Sequence, residues 1–316
     1  MSKFGFVILH YIALDLTIQC VDNIINRFSN RDIIITIIDN ASPNNSGQDL
    51  KNRYQSNSQI EVILHNKNDG FARGNNIGFN YLKDHFNIDF MIVMNNDVII
   101  EQNDFLEKIE KLYDKHQFSV LGPDIYAPNL NNHQNPLEYQ LNTIEGCNYW
   151  IKKYKQLLRK DNFNYYKLKI LHYTVYFWAK PLLKLLFPKK FSQLTTKSTN
   201  ISTEQMKSSS RYEQSEQEDV TLQGSCLIFS KSFIQKRKYA FYPKTFLYHE
   251  EHILHLQCRY EGLKTIYSPQ ISVLHYCSST TNQLFSNREK YRLYWRENIK
   301  SIKEYIKLYK QYNINA

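Results

Sequence analysis

Residues 90–97 read FMIVMNND, from Phe90 to Asp97, and this stretch decides the fold. An apolar run of five residues that stops at two amides and a carboxylate reads as a buried strand with a polar carboxyl end. In open α/β sheets ligands bind at that end of the strands. A carboxylate flanked by neutral amides suits a hard divalent cation that keeps some of its water and shares oxygens with a phosphate. Taken alone, Asn95, Asn96 and Asp97 fit a helix cap or a turn equally well.

Working outward, three more strand candidates precede it, at Phe4–Leu9, Ile33–Ile38 and Glu61–Leu64. Helix-like stretches lie between them, around Leu16–Phe28, Gly47–Tyr54 and Gly74–His85. This alternation predicts βαβ units and an α/β fold with a mostly parallel central sheet. The loops after the strands are unlike generic connectors. After the second comes IDNASPNNSG, with Asp39 and Asn40 at the strand end, and after the third HNKNDGFARGNNIG. Gly70 and Gly74 permit turns or close approaches, while Arg73, Asn75 and Asn76 bring polar groups to a helix N-terminus, which favours anions. Later, TLQGSCLIFS predicts a glycine-bearing strand, Phe241–Leu256 holds a second carboxylate cluster, and Asn287–Tyr312 predicts an amphipathic helix.

The ordered motifs FVILHY, IDNAS, NKNDGFARGNNIG, MNND, GSCLIF, FLYHEE and SVLHYCSST, closed by YRLYWREN, resemble an inverting family 2 glycosyltransferase. The likeness is to the rhamnosyltransferase-like branch of bacterial surface-polysaccharide synthesis, over residues 4–126 and 220–298. It implies a Rossmann-like nucleotide-sugar-binding fold of the A type. It further implies that Asp39 contacts the nucleotide base, with Asn40 and Ser42 beside it. Asn68, Gly70, Phe71, Ala72, Gly74 and Asn75 match the loop that walls the nucleotide and sugar. Asn95, Asn96 and Asp97 stand where the family has its DxD-like motif; only the last position is acidic here, which makes Asp97 the expected ligand to Mg2+ or Mn2+. His275 matches a late histidine that completes the metal and diphosphate site, and Gly224 a glycine at which backbone approaches sugar and acceptor, with Ser225 next to it.

These residue types suit the implied chemistry. A divalent cation offsets charge on a leaving diphosphate, and a carboxylate takes the proton of the attacking hydroxyl. Glu251 is the expected base, with Glu250 supporting it or contacting the acceptor. Outside this motif order, two adjacent glutamates on a helix surface read the same way.

The net charge of +10 has one source. Between Ile151 and Lys190 lie eleven Lys or Arg and one Asp, which leaves 29 of the 40 basic and 29 of the 30 acidic residues elsewhere. Trp150–Lys190 interleaves lysines with aromatic and leucine residues, as in segments that lie on anionic membranes. A helical hairpin packed on protein reads similarly; no recognised nucleic-acid module accompanies the charge. The expected division is 1–127 nucleotide-sugar-binding half, 128–219 insertion and polar loop, 220–283 acceptor half, and 284–316 terminal helix. No signal peptide and no apolar stretch long enough to span a bilayer is read, and the five scattered cysteines lack CxxC spacing. The expected location is therefore cytoplasmic, peripheral at the inner face of the cell membrane. The expected partners are a UDP- or dTDP-linked sugar donor and a glycan or lipid-linked acceptor. Two rivals are a sugar-nucleotide pyrophosphorylase, disfavoured because HYIALD is no glycine-rich loop, and a catalytically impaired nucleotide-sugar-binding or membrane-surface assembly protein.

Overall fold

The computed structural model describes residues 2–174, 212–277 and 287–314. Its elements begin as β1 (Phe4–His10), α1 (Leu14–Arg27), β2 (Ile33–Asp39), α2 (Ser46–Tyr54), β3 (Ile60–Leu64), α3 (Gly70–His85) and β4 (Phe90–Asn95). There follow β5 (Val98–Ile99), α4 (Phe105–His116), β6 (Val120–Ala127), β7 (Asn132–His133), α5 (Ile144–Thr174) and β8 (Gln217–Glu218). The chain closes with β9 (Cys226–Ser230), α6 (Lys231–Lys236), α7 (Glu250–Tyr260), β10 (Thr265–His275) and α8 (Asn287–Ile314).

The strands form one sheet in the order β3-β2-β1-β4-β9-β6-β10-β5, with β7 on β6 and β8 on β10. Pairing is parallel through β3, β2, β1 and β4, antiparallel across β9, and parallel again between β6 and β10. Six of the seven longest strands therefore point the same way, which is the mostly parallel α/β sheet read from the sequence. Strand periodicity divides the core into two layers. Phe4, Phe6 and Ile8 of β1, with Phe90, Ile92 and Met94 of β4, face α1 and α4 through Val21, Ile24, Phe105 and Ile109. On the other face Val7, Met91, Val93 and Phe229 meet Phe79 and Leu82 of α3 and Leu254 of α7. Burial on both faces is why FMIVM is a continuous apolar run.

Two sequence expectations need correction. The helix after β3 starts at Gly70 rather than Gly74, so much of the loop lies in its first two turns. Gly224 and Ser225 form a turn, and the strand they were read into starts at Cys226. Of the cap and the turn that Asn96 and Asp97 fit when taken alone, the structure has the turn, which carries the chain from β4 into β5.

The chain divides into two units, and within α5 the boundary falls between Ile151 and Lys152. Of the basic stretch 150–190, α5 accounts for the part up to Thr174, and 175–190 lies outside the described residues. Within α5, Lys152, Lys155 and Arg159 are exposed at helical spacing, and Phe163 is 67% exposed. Among the described residues no helix is long and apolar enough to cross a membrane.

Candidate functional site

The carboxyl edge of the parallel strands gathers the polar residues singled out above. β1 ends at His10, β2 at Asp39, β4 at Asn95 and β10 at His275. His10 pairs with Asp39 across β1 and β2, and Leu9 with Asn95 across β1 and β4. His10, Asp39 and His275 are buried, so each must find a partner within the site.

The loop after β2 is ordered by its own side chains. The Asp39 carboxylate accepts a hydrogen bond from Ser42 N at 3.2 Å. Ser42 Oγ accepts one from Ile12 N at 2.8 Å, and Asn44 Nδ2 donates to Ile12 O at 2.9 Å. These bonds hold Ile12 at φ 67°, a left-handed conformation that β-branched residues rarely adopt, with Ala41 at 59° and Asn45 at 62°. Backbone strain of this kind clusters at ligand sites. Asn40 is fully engaged. Its Nδ2 donates to Asn68 Oδ1 and to Gly70 O, both at 3.1 Å, and its Oδ1 accepts from Asp69 N at 3.0 Å. Asn68 Oδ1 also accepts from Gly70 N at 3.0 Å. Both amides therefore act by shaping the loop before α3.

That loop is locked to a second one. Gly70 has φ +77°, and a side chain there would collide with the carbonyl of Phe246, which accepts from Phe71 N at 2.8 Å. The Phe71 ring packs edge-on against Phe241. Ala72 is buried in the core, and Gly74 leaves room for Leu9 beneath the helix. Arg73 and Asn76, expected at the helix N-terminus, both reach across to the segment before α7. Arg73 Nε donates to Pro243 O at 2.7 Å, and Asn76 brackets Phe241, accepting from its N at 2.9 Å and donating to its O at 2.8 Å. Asn75 donates to Phe71 O, while its buried Oδ1 has no partner among the described residues.

The clamped segment leads into the glutamate pair. Tyr248 and His249 take φ of 71° and 68°, two consecutive left-handed residues that turn the chain into α7. α8 supports this turn: Tyr294 packs on Tyr248, and Ser301 Oγ donates to Leu247 O at 3.0 Å. Glu250 is 2% exposed with Oε1 unpartnered among the described residues, whereas Glu251 is half-buried. Burial first, and the adjacent Glu251 carboxylate second, push the Glu250 pKa up. The two glutamates therefore have different environments, and Glu250 favours its neutral form. Glu251 lies against Gly224. The Gly224–Ser225 turn is in turn joined to the end of β4, where Asn95 N donates to Ser225 O at 2.8 Å.

Asp97 faces His275, with Oδ1 3.3 Å from Nε2. Gln134 Oε1 lies 2.7 Å from His275 Nδ1 and accepts its proton, which turns Nε2 towards Asp97. Burial alone would lower the His275 pKa; Asp97, with Cys277 behind it, outweighs burial and lifts it to about 9. Among the described residues no cluster of three or more His, Cys, Asp or Glu side chains could hold an ion. One carboxylate and one imidazole, once Nε2 gives up its proton, are a fitting donor set for Mg2+ or Mn2+ when phosphates and water complete the shell.

Sequence reasoning missed His10, Thr17 and Ser46, buried polar residues that join these loops. Their only signal was a histidine ending an otherwise apolar strand.

Comparison with known proteins places this geometry in a family. The model for glycosyl transferase family 2 matches residues 6–179. No curated protein matches the chain. Among solved structures, the mannosyltransferase PcManGT from Pyrobaculum calidifontis, in complex with GDP-Man and Mn2+, is similar with a TM-score of 0.52 at 9% identity. That alignment covers 96% of this chain and 64% of the other. S. aureus TarS 1-349 aligns over 88% of this chain and 59% of its own, at 10% identity and a TM-score of 0.46. The chain thus spans less than two thirds of either, and the likeness to PcManGT is one of fold, in keeping with the A-type architecture. The family model covers more than half of the sequence, and the chain belongs to glycosyl transferase family 2.

Proposed function

We propose that this chain is a metal-dependent inverting glycosyltransferase. It moves a hexosyl or rhamnosyl group from a UDP- or dTDP-linked donor to a hydroxyl of a glycan or lipid-linked glycan in bacterial cell-surface polysaccharide synthesis. The observation that carries the reading is the bond between Asn95 N and Ser225 O, which sets the Asn95–Asp97 turn beside the Gly224 turn under Glu251. A cation-side carboxylate and a candidate base thereby share one sheet edge.

In this reading Asp39, with Ser42 beside it, contacts the base, and the loop ordered by Asn40 and Asn68 walls the nucleotide with Gly70, Phe71, Ala72, Gly74 and Asn75. Asp97 and His275 would hold Mg2+ or Mn2+, which when bound offsets the charge of the departing diphosphate. A Mn2+ ion in the PcManGT complex is in keeping with this. Glu251 removes the proton from the acceptor hydroxyl as its oxygen bonds to the anomeric carbon. The bond from that carbon to the diphosphate oxygen breaks, its electrons leave with the diphosphate, and attack from the opposite face inverts the centre. Neutral Glu250 suits a supporting role, since it can donate a hydrogen bond to an acceptor oxygen. Lys152, Lys155, Arg159 and Phe163 favour peripheral contact of the basic segment with anionic lipid at the inner membrane face.

Hydrolysis of UDP-, dTDP- and GDP-linked sugars, measured with Mn2+ and with EDTA, tests the reading. Turnover of a UDP or dTDP sugar that EDTA abolishes is expected. Nucleotide-sugar binding without turnover under any condition would favour the impaired binding protein instead.

A further inference from the structure

The proposed donor site has two halves, the loop after β2 and the turn after β4, and one chain of buried hydrogen bonds runs between them. Asn96 Nδ2 lies 2.8 Å from Thr17 Oγ1, Thr17 Oγ1 2.7 Å from His10 Nδ1, His10 Nε2 2.8 Å from Ser46 Oγ, and Ser46 Oγ 2.7 Å from Asn44 Oδ1. His10, Thr17, Ser46 and Asn96 are all buried, and only Asn44 reaches the surface.

Counting donors gives a direction to the bonds of the chain. Asn44 uses Nδ2 on Ile12 O, so Oδ1 is the atom facing Ser46 and the Ser46 hydroxyl must donate to it. A hydroxyl has one proton, so His10 Nε2–H donates to Ser46 Oγ. Burial holds the His10 imidazole neutral, its pKa lowered to about 4 against the opposing charge of Asp39. Nδ1 is therefore an acceptor and takes the Thr17 proton, although Ala13 O, 3.1 Å from the same hydroxyl, competes for it. Thr17 then accepts from Asn96. Every donation runs from Asn96 towards Asn44, and bonds aligned in this way reinforce one another.

We propose that His10 is a positioning residue that makes the base-side loop after β2 and the cation-side turn after β4 respond as one unit. The inference rests on the donor-site reading of those two segments. Replacing Ser46 removes the acceptor of the His10 proton, and replacing Asn96 removes the donor to Thr17, so each end feels a change at the other. Without His10 the two ends have no hydrogen-bonded connection along this route. A glutamine at this position keeps one acceptor and one donor at its tip, whereas a phenylalanine keeps neither.

The test is a double-mutant cycle of Ser46→Ala and Asn96→Ala, read by Mn2+-dependent affinity for UDP and dTDP, in native, His10→Gln and His10→Phe backgrounds. In the native and His10→Gln backgrounds the double variant is expected to bind about tenfold more tightly than the product of the single effects requires, within the range for residues sharing one network. In the His10→Phe background the effects are expected to multiply. Multiplication in all three backgrounds, or equal non-additivity in the His10→Phe background, would overturn the proposal. Failure of the native protein to bind either nucleotide would instead contradict the donor-site reading. The same cycle read by urea unfolding, which needs no ligand, then decides the coupling by the same two patterns.

Discussion

The Glu251 carboxylate lies directly over Gly224: a Cβ on that glycine would sit 2.7 Å from Oε1 and 3.2 Å from Cδ and Cγ. The obstructed atom is the tip of a flexible side chain, so the collision is relieved by moving the carboxylate and leaving the backbone where it is. Gly224→Ala is therefore expected to fold with a midpoint close to native while transfer falls by about a hundredfold, the scale for a group displaced by about 1 Å. Steady-state rates beside thermal unfolding check this; native turnover in the Ala variant would remove Glu251 from its assigned place.

Glu250 should behave differently from its neighbour. Burial and the Glu251 charge raise its pKa, so the folded state prefers the neutral acid. Such a group contributes stability at low pH and loses it as pH rises from the ordinary carboxylate range through its raised value. Glu250→Gln mimics the neutral form and is expected to flatten that loss, which urea unfolding at about pH 5 and about pH 9 measures. The variant should retain far more turnover than Glu251→Gln. A pH dependence unchanged from native would show that Glu250 is ionised in the fold.

His10 gives the opposite slope. Its pKa is depressed by burial to about 4, so the stability it contributes is present above the ordinary histidine value of 6.5 and is lost as pH falls through 4. His10→Gln should lessen the loss of unfolding free energy between pH 6.5 and pH 4. An identical acid limb in native and variant would place the proton elsewhere.

Asn76 ties α3 to the segment that carries the glutamates. Its side chain makes two hydrogen bonds to the Phe241 backbone, and both groups are buried. Asn76→Ala leaves that backbone unsatisfied, for a loss of about 1–3 kcal/mol. Denaturant unfolding reads the loss, and hydrogen exchange should quicken at 240–249. A loss below about 0.5 kcal/mol would mean that the segment is held by its other contacts.

The positions of Asp39, Asn95, Asn96 and Asp97 were legible because a buried strand announces its end when apolar residues stop. The middles of β6 and β10 were harder to read as strand. Gly122 and Pro123 interrupt β6, a composition that argues against a strand, yet β9 pairs with it only at Val120 and Leu121 and leaves the proline unopposed on that side. Pro269 falls where the β10 register shifts between Ser268 and Ser272. Asn40, Arg73 and Asn76 were recognisable as site-region residues, but their partners stand on other loops, so their positioning roles required the fold. The His10 chain was invisible for the same reason: its members meet only once β1, α1 and α2 have packed.

The central claim is that Glu251 takes the acceptor proton beside a donor held at Asp39, Asp97 and His275. Glu251→Gln tests it most directly, with donor affinity and turnover measured on the same preparation in Mn2+. The account predicts affinity within about twofold of native and turnover lower by at least about a hundredfold, the contribution of a positioned general base. A Gln variant that turns over donor at the native rate would contradict it.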